Sequence, residues 1–182
     1  MKPSVLSILA FLLSASMASY AANREPKDMA GHMIRAHNQI RKSLDLEGLT
    51  WSEPIAAYAR QWAKHLATRG GCAMKHRPRT GKYAQRYGEN IYWASPTRWS
   101  DGRREVQSID PGVPVKRWAD EAANYDYPTN TCDPGKVCGH YTQVVWRNSK
   151  QLGCAMALCP NKGQIWVCNY DPPGNYIGEK PY

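Results

Sequence analysis

The sequence lacks several patterns that mark common enzyme classes. It has no His-Glu-x-x-His sequence and no Gly-x-Ser-x-Gly elbow, so metalloproteases and serine hydrolases of those types gain no support. It has no Cys-x-x-Cys pair that would indicate a metal cluster, and no Asn-x-Ser/Thr sequon for N-glycosylation. Internal repeats and low-complexity segments are also missing, so the 182 residues fit a single domain.

Only one segment is apolar enough to suggest membrane targeting. Lys2 precedes an apolar run from Val5 to Leu13, and Ser19-Tyr20-Ala21 has the small-x-small pattern of a signal peptidase site. Residues 1–21 are therefore predicted to be a signal peptide and residues 22–182 the mature domain. A membrane anchor needs about 20 apolar residues, and serines interrupt this run. The protein is expected to be secreted and extracellular, or periplasmic if its source is bacterial.

Basic residues outnumber acidic ones, and removal of Lys2 with the signal peptide changes the formal charge from +9 to +8. A basic domain is expected to make weak contact with anionic membrane surfaces. Lysine and arginine are scattered apart from a cluster at Arg98, Arg103 and Arg104, and this distribution does not favour a nucleic-acid partner. The sequence gives no prediction of oligomeric state.

Three segments have the apolar spacing of amphipathic helices. The first runs from Asp28, the expected N-cap, to Arg41; the second opens at Ser52-Glu53-Pro54 and ends at Gly70-Gly71; the third starts at Pro114. Residues 77–112 have no sustained period and are expected to form long loops with at most short helices. The predicted apolar stripes are Met29, Met33, Ala36 and Ile40, then Ile55, Tyr58, Trp62 and Leu66, then Val115, Trp118, Ala122 and Tyr125.

Two later segments are typical of β-strands. The apolar runs Leu152–Leu158 and Gln164–Tyr170 flank Pro160-Asn161-Lys162-Gly163, which predicts a β-hairpin. Pro134-Gly135 predicts a turn, and the tail from Pro172 is expected to be irregular. Helices followed by strands indicate an α+β domain in which helices cover an antiparallel sheet.

Two long motifs and three short ones carry a family resemblance. The long motifs are Gly139-His140-Tyr141-Thr142-Gln143-Val144-Val145-Trp146, and Trp166-Val167-Cys168-Asn169-Tyr170 followed by Gly174-Asn175-Tyr176. The short ones are Gly88-Glu89-Asn90-Ile91, Trp118-Ala119-Asp120-Glu121 and Asn124-Tyr125-Asp126-Tyr127. Together they resemble the CAP superfamily (cysteine-rich secretory protein, antigen 5, pathogenesis-related 1), closest to the plant pathogenesis-related protein 1 type.

This resemblance implies an α-β-α sandwich with a central antiparallel sheet and a surface cleft. In the family the cleft is lined by two histidines and two acids, which correspond here to a tetrad of His76, Glu89, Glu121 and His140. The chain departs from the family at Arg77, where many relatives have a small hydroxyl residue, and in residues 96–114, which are longer and more basic than in the plant proteins. The cleft rim is therefore expected to differ in shape and charge.

Imidazole and carboxylate groups are ligands that zinc accepts. We expect His76 and His140 to bind a divalent cation, preferably Zn²⁺, with waters completing the coordination and Glu89 and Glu121 orienting the rings. The alternative is that the four side chains hold loops together through hydrogen bonds, with no metal. No residue is assigned as catalytic.

Six cysteines in an exported chain predict three disulfides rather than free thiols. A hairpin centred on Asn161 places Cys154 directly opposite Cys168. Two further cysteines flank the Pro134-Gly135 turn, and elimination leaves the last two as a pair. The resemblance implies the same scheme: Cys154 with Cys168, Cys132 with Cys138, and Cys72 with Cys159.

The leading functional hypothesis is a non-enzymatic CAP protein in defence, host interaction or antimicrobial activity that binds sterols or other lipids, as the resemblance implies. Aromatic residues from Tyr83 to Trp99 would line an apolar groove, or would serve only as core and loop anchors. One alternative is a hydrolase using His/Glu acid-base chemistry with a metal-activated water. Another is a precursor that releases the peptide Pro172 to Tyr182 by cleavage after Asp171, in a tail expected to be open to proteases.

Overall fold

The computed structural model describes residues 28–182, so the predicted signal peptide lies outside the described residues. The helices are α1 Met29–Lys42, α2 Glu53–Thr68, α3 Gly112–Ala119 and α4 Gly139–Val144, with a 3-10 helix, Asp120–Asn124, directly after α3. The strands are β1 Thr50–Trp51, β2 Gly88–Ala94, β3 Thr97–Arg98, β4 Arg104–Glu105, β5 Tyr125–Asp126, β6 Thr131–Cys132, β7 Gln151–Leu158 and β8 Gln164–Asp171. Within this part of the chain, no helix has the length and apolar character needed to cross a membrane.

The central sheet has the strand order β1-β7-β8-β2. The predicted hairpin is formed by β7 and β8, whose antiparallel register places Cys154 opposite Cys168. Strand β2 extends the sheet antiparallel to β8, and the two-residue β1 pairs parallel with β7. The sheet is therefore mostly antiparallel, with β2 at one edge.

Two apolar cores lie on opposite faces of this sheet because neighbouring residues of a strand point to opposite sides. Trp166, Cys168 and Tyr170 of β8 pack in one core with residues of α1, α3 and α4. The alternate residues Ile165 and Val167 pack in the other core with α2. Helices thus cover both faces, and the predicted α+β class and α-β-α sandwich are confirmed.

The N-terminal end of α2 lies directly on β7. A Cβ atom at Gly153 would collide with the backbone nitrogen of Ala56, so this close helix-to-strand approach requires glycine. The apolar stripe predicted for α2 is buried at Ile55, Trp62 and Leu66 and half-buried at Tyr58.

Helix α1 buries polar side chains that the sequence did not mark as core. Its fully buried positions include His37 and Arg41, which continue the four-residue spacing of Met29 and Met33. The Arg41 guanidinium donates to the carbonyls of Val144 and Trp146 at 3.1 and 2.8 Å, so it ties α1 to the end of α4. The predicted capping residue Asp28 precedes α1 but forms no side-chain capping bond.

Two expectations about secondary structure were wrong. Residues 77–112 contain the sheet strand β2, which is buried on both faces over most of its length and so shows no polar alternation. The third helix begins at Gly112, before the predicted Pro114, and changes to a 3-10 helix at Asp120. As a result, Ala122 is exposed rather than part of an apolar stripe.

Three disulfides cross-link the domain, and they are the pairs expected from the sequence. Cys72–Cys159 joins the loop after α2 to the end of β7, Cys132–Cys138 closes the turn before α4, and Cys154–Cys168 crosses the hairpin. Residues 28–182 contain no free cysteine.

The C-terminal tail follows an irregular path, as predicted, but it is held against the domain. The backbone N–H of Arg147 donates to the carbonyl of Pro181 at 2.6 Å. The Tyr182 ring stacks on Tyr127 at 4.6 Å, and its hydroxyl lies 3.0 Å from that of Tyr141. The tail is thus anchored at Pro181 and Tyr182, whereas residues 175–180 are exposed, and its openness to proteases stays a prediction.

Candidate functional site

The first His/Glu pair joins the loop after α2 to β2. The Nδ1 atom of His76 lies 2.9 Å from Oε1 of Glu89, and the same oxygen accepts the backbone N–H of Arg77 at 3.0 Å. The Glu89 side chain is fully buried, whereas that of His76 is 55% exposed. Because a carboxylate only accepts hydrogen bonds, Nδ1 of His76 is the donor, and in the neutral form of the ring the lone pair is then on Nε2.

The second pair joins the 3-10 helix to α4. The Nδ1 atom of His140 lies 2.6 Å from Oε1 of Glu121, and Oε2 accepts the backbone N–H of His140 at 3.0 Å. One carboxylate therefore fixes both the ring and the backbone of His140. The ring also stacks on Trp118, with 6.2 Å between the centroids.

Strand β2 connects the two pairs. Asn90 follows Glu89, and its side-chain amide donates to the His140 carbonyl at 3.0 Å and to the Tyr170 hydroxyl at 3.1 Å. Glu89 therefore belongs to the first pair, and Asn90, the next residue of this edge strand, holds the backbone of His140 in the second pair. Asn90 belongs to the Gly88-Glu89-Asn90-Ile91 motif, but no role in the site was predicted for it.

The four tetrad residues lie on four different elements. Glu89 lies in β2, Glu121 in the 3-10 helix and His140 in α4, each at or near the start of its element. Only His76 lies in a loop. The two histidines and two acids form two hydrogen-bonded pairs, and each pair joins elements distant in the sequence.

A buried hydrogen-bond chain supports the site from α1. His37 donates from Nδ1 to the Met33 carbonyl at 2.8 Å, and its Nε2 accepts from the Tyr170 hydroxyl at 2.9 Å. Burial lowers the pKa of His37 to about 4, so its ring is neutral at physiological pH. Burial raises the pKa of Tyr170 above its ordinary value. Both groups therefore act as fixed hydrogen-bond partners that position Asn90.

The two histidines offer a donor chemistry that zinc accepts. Each histidine uses Nδ1 for a carboxylate and leaves Nε2 available, which is a common arrangement of imidazole ligands. Among residues 28–182, no group of three or more His, Cys, Asp or Glu side chains is arranged to hold a metal ion. A bound ion would therefore take its two imidazole ligands from His76 and His140 and the remaining ligands from water.

The aliphatic hydroxyl closest in sequence to His140, that of Thr142, is not arranged as a nucleophile. Thr142 Oγ1 donates to Asn175 Oδ1 at 2.7 Å and also contacts the Cys138 carbonyl at 3.2 Å. A nucleophile activated by histidine would need a hydrogen bond to that ring, and Thr142 makes its bonds elsewhere.

The aromatic residues from Tyr83 to Trp99 do not share one surface. Tyr83 packs against Trp62, and Tyr92 packs against the core, whereas Trp93 and Trp99 are exposed. A separate cavity of about 290 Å³ lies beside α4. Its lining includes Tyr125, Trp146, Tyr176 and the Cys132–Cys138 disulfide.

Comparison with known proteins identifies relatives over most of the chain. The model of the CAP, cysteine-rich secretory protein, family matches residues 34–170. Pathogenesis-related protein 1 of Arabidopsis thaliana is 39% identical over 182 residues, which cover 100% of both chains. Pathogenesis-related protein 1A of Nicotiana tabacum is 44% identical over 149 residues, covering 82% of this chain and 78% of its own.

Solved structures share the fold at lower identity. Venom allergen-like protein 4 of Schistosoma mansoni has a TM-score of 0.63 at 24% identity, covering 86% of this chain and 95% of its own. NaASP2, crystallised with Zn²⁺, has a TM-score of 0.64 at 22% identity, covering 86% of both chains. The chain therefore belongs to the CAP, cysteine-rich secretory protein, family and is similar to the plant pathogenesis-related protein 1 members.

Proposed function

We propose that this chain is a secreted, non-enzymatic defence protein whose His/Glu cleft binds a divalent cation, preferably zinc. The observation that carries the metal proposal is the matched engagement of Nδ1 of His76 and His140 by Glu89 and Glu121. A carboxylate behind each ring holds it in one tautomer and makes Nε2 a better ligand. Secretion is supported by the predicted signal peptide and by three disulfides, which persist in oxidising compartments.

Two protein ligands make this a modest site rather than a structural zinc centre, which usually has four. The metal would supply positive charge at the cleft, and the chain would supply the two oriented imidazoles. Because the neutral ring is the ligand, affinity falls as the solution becomes acidic.

Zinc titration by calorimetry tests the proposal. Wild-type protein is expected to bind one ion, and the His76→Ala/His140→Ala variant none. His32→Ala is the control, because His32 is partly exposed on α1 and pairs with Asp110 at 3.2 Å. Equal zinc uptake by the double variant would leave the tetrad with a structural role.

A sterol or other lipid ligand is the second candidate, supported by the cavity beside α4. Its aromatic lining suits an apolar molecule, and it borders Gly139 and Thr142 of the helix that carries His140. Its size lies near the lower end of small-molecule sites. Mass spectrometry of natively purified protein with its extracted lipids and metals tests both candidates, because it identifies lipid and metal separately.

The hydrolase alternative makes a different prediction from the binding proposal. A metal-activated water between the histidines would give turnover that requires both His76 and His140. Hydrolysis of ester or peptide probes that is lost in the double variant would replace the binding proposal with the enzymatic one.

A further inference from the structure

The stretch between β2 and α3, for which the sequence predicts a loop, folds into a small exposed hairpin, Thr97–Glu105. Its turn is Trp99-Ser100-Asp101-Gly102, in which the Gly102 N–H donates to the Trp99 carbonyl at 3.0 Å. Gly102 has φ +85°, the left-handed conformation that a three-residue hairpin turn requires at this position. The turn hydrogen bond and the left-handed glycine therefore define the shape of the hairpin.

This hairpin places two arginines directly opposite each other. Arg98 pairs with Arg104 across the two strands. The Trp99 N–H donates to the Arg103 carbonyl at 3.0 Å, so the neighbouring Arg98–Arg104 pair occupies a non-hydrogen-bonded position, where opposing side chains are closest. Like charges in this arrangement destabilise a hairpin.

The third arginine of the hairpin, Arg103, forms ion pairs with both of its acidic residues. Arg103 bonds to Asp101 at 2.6 Å and to Glu105 at 3.3 Å. Arg98 and Arg104 form no ion pair with any described residue. The hairpin thus presents two guanidinium groups without an ion-pair partner on one face. Trp99, the next residue of the strand, points to the other face, where the Arg103 guanidinium lies 5.6 Å from its ring centroid.

Exposed apolar side chains lie close to these arginines in the chain. Of the eight large hydrophobic residues exposed in residues 28–182, four lie between positions 93 and 113. Trp93 and Trp99 are 39% and 48% exposed, and Val106 and Val113 are 41% and 37% exposed. Tryptophan prefers the membrane–water interface, where its ring is apolar and its N–H remains hydrated.

We propose that the hairpin Thr97–Glu105, with Trp93 and Val106, docks the protein on an anionic phospholipid surface. The hairpin tip would enter the surface edge-on. Arg98 and Arg104 on one face would bind lipid phosphates or carboxylates, which relieves their mutual repulsion, and Trp99 on the other face would enter the interfacial layer. Charge complementarity and exposed tryptophan favour a bilayer over a soluble polyanion, which would make no use of Val106. The proposal goes beyond the cleft function and uses none of the tetrad residues.

Co-sedimentation with phosphatidylcholine vesicles, with and without phosphatidylserine, tests the docking. Each basic residue near an anionic surface strengthens membrane binding. The loss of two such charges in Arg98→Gln/Arg104→Gln is therefore expected to weaken binding on the order of thirtyfold. The control Arg69→Gln/Arg147→Gln removes the same net charge from exposed positions elsewhere and is expected to leave most binding intact. Trp99→Ala is expected to reduce the binding that remains at high salt, because apolar burial is not screened.

Both arginine variants are expected to fold, and Arg98→Gln/Arg104→Gln should unfold no earlier than wild type because it removes a repulsion. Equal loss of binding in the two double variants would overturn the proposal in favour of a diffuse charge effect. Equally tight binding to polygalacturonate, with no effect of Trp99→Ala, would overturn it in favour of a polyanion site. Zinc titration of the same variants tests metal binding in the cleft independently, because none of these substitutions changes a tetrad residue.

Discussion

Arg77 and Glu89 form a buried ion pair: Nε of Arg77 lies 3.7 Å from Oε2 of Glu89, and neither side chain is exposed. The guanidinium also lies 3.7 Å from the Tyr58 ring centroid and donates to the Tyr58 carbonyl at 2.6 Å. Burial lowers the pKa of Arg77 from its ordinary value. Arg77, the residue after His76, therefore supplies the positive charge that balances the Glu89 carboxylate.

Arg77→Met is expected to destabilise the protein by about 3–5 kcal/mol, because it leaves the Glu89 carboxylate buried without a counter-ion. The matched variant Arg77→Met/Glu89→Gln should recover part of this loss, since it leaves no charge unpaired. Urea unfolding of the wild type, both single variants and the double variant measures the coupling. Strictly additive losses would show that Arg77 acts only through its packing on Tyr58.

The role of Arg77 shows where sequence reasoning stopped. The sequence marked Arg77 as a departure from the family, but arginine is usually exposed, and only the fold places it beside Glu89. His37 and Arg41 were missed as core residues for the same reason, although their four-residue spacing from Met33 was a usable signal.

The elements predicted well were those with a local cause. The β7–β8 hairpin was found because two apolar runs flank a clear turn, and its register then placed the Cys154–Cys168 pair. Strand β2 was missed because its partner, β8, lies about 80 residues away and its own turn signals are weak. Likewise, the tetrad residues were identified only by family resemblance, since no local pattern brings them together.

Acid is expected to destabilise the protein through His37. Its pKa is about 4 in the folded state because of burial, against about 6.5 in an unfolded chain. The unfolded state therefore binds a proton first, and stability present above pH 6.5 is lost progressively as the pH falls to about 4, by about 3 kcal/mol.

A His37→Gln variant should lose less stability across that pH range, because glutamine keeps hydrogen-bonding groups but does not titrate. His32→Gln, changed at a more exposed position of the same helix, should follow the wild type. Denaturant unfolding at several pH values measures both. An identical pH dependence for wild type and His37→Gln would contradict the assignment to His37.

The Cys72–Cys159 disulfide is expected to stabilise the fold most. It closes a loop with a sequence separation of 87, whereas Cys132–Cys138 has a separation of 6. Loop-closure entropy predicts that removing the long-range bridge costs about 2 kcal/mol more than removing the short one. Thermal unfolding of the two paired Cys→Ala variants measures this difference, and equal losses would show that native-state contacts outweigh chain entropy.

The C-terminal tail is expected to resist cleavage after Asp171 while the domain is folded. Asp171 is the last residue of β8 and pairs with Gln151, and its carbonyl accepts the Lys150 N–H at 2.8 Å. Tyr127 holds the far end of the tail by stacking on Tyr182 and donating to its carbonyl. Release of the peptide 172–182 therefore requires local opening first.

Tyr127→Ala removes one stacking contact and one hydrogen bond, so cleavage within the tail should become about tenfold faster. Tyr87→Ala is the control, because it removes an aromatic contact with Tyr58 that involves no tail residue. Limited proteolysis followed by mass spectrometry measures both the site and the rate. If wild type is cut after Asp171 as fast as Tyr127→Ala, the docked tail gives no protection, and release of the peptide needs no opening of the domain.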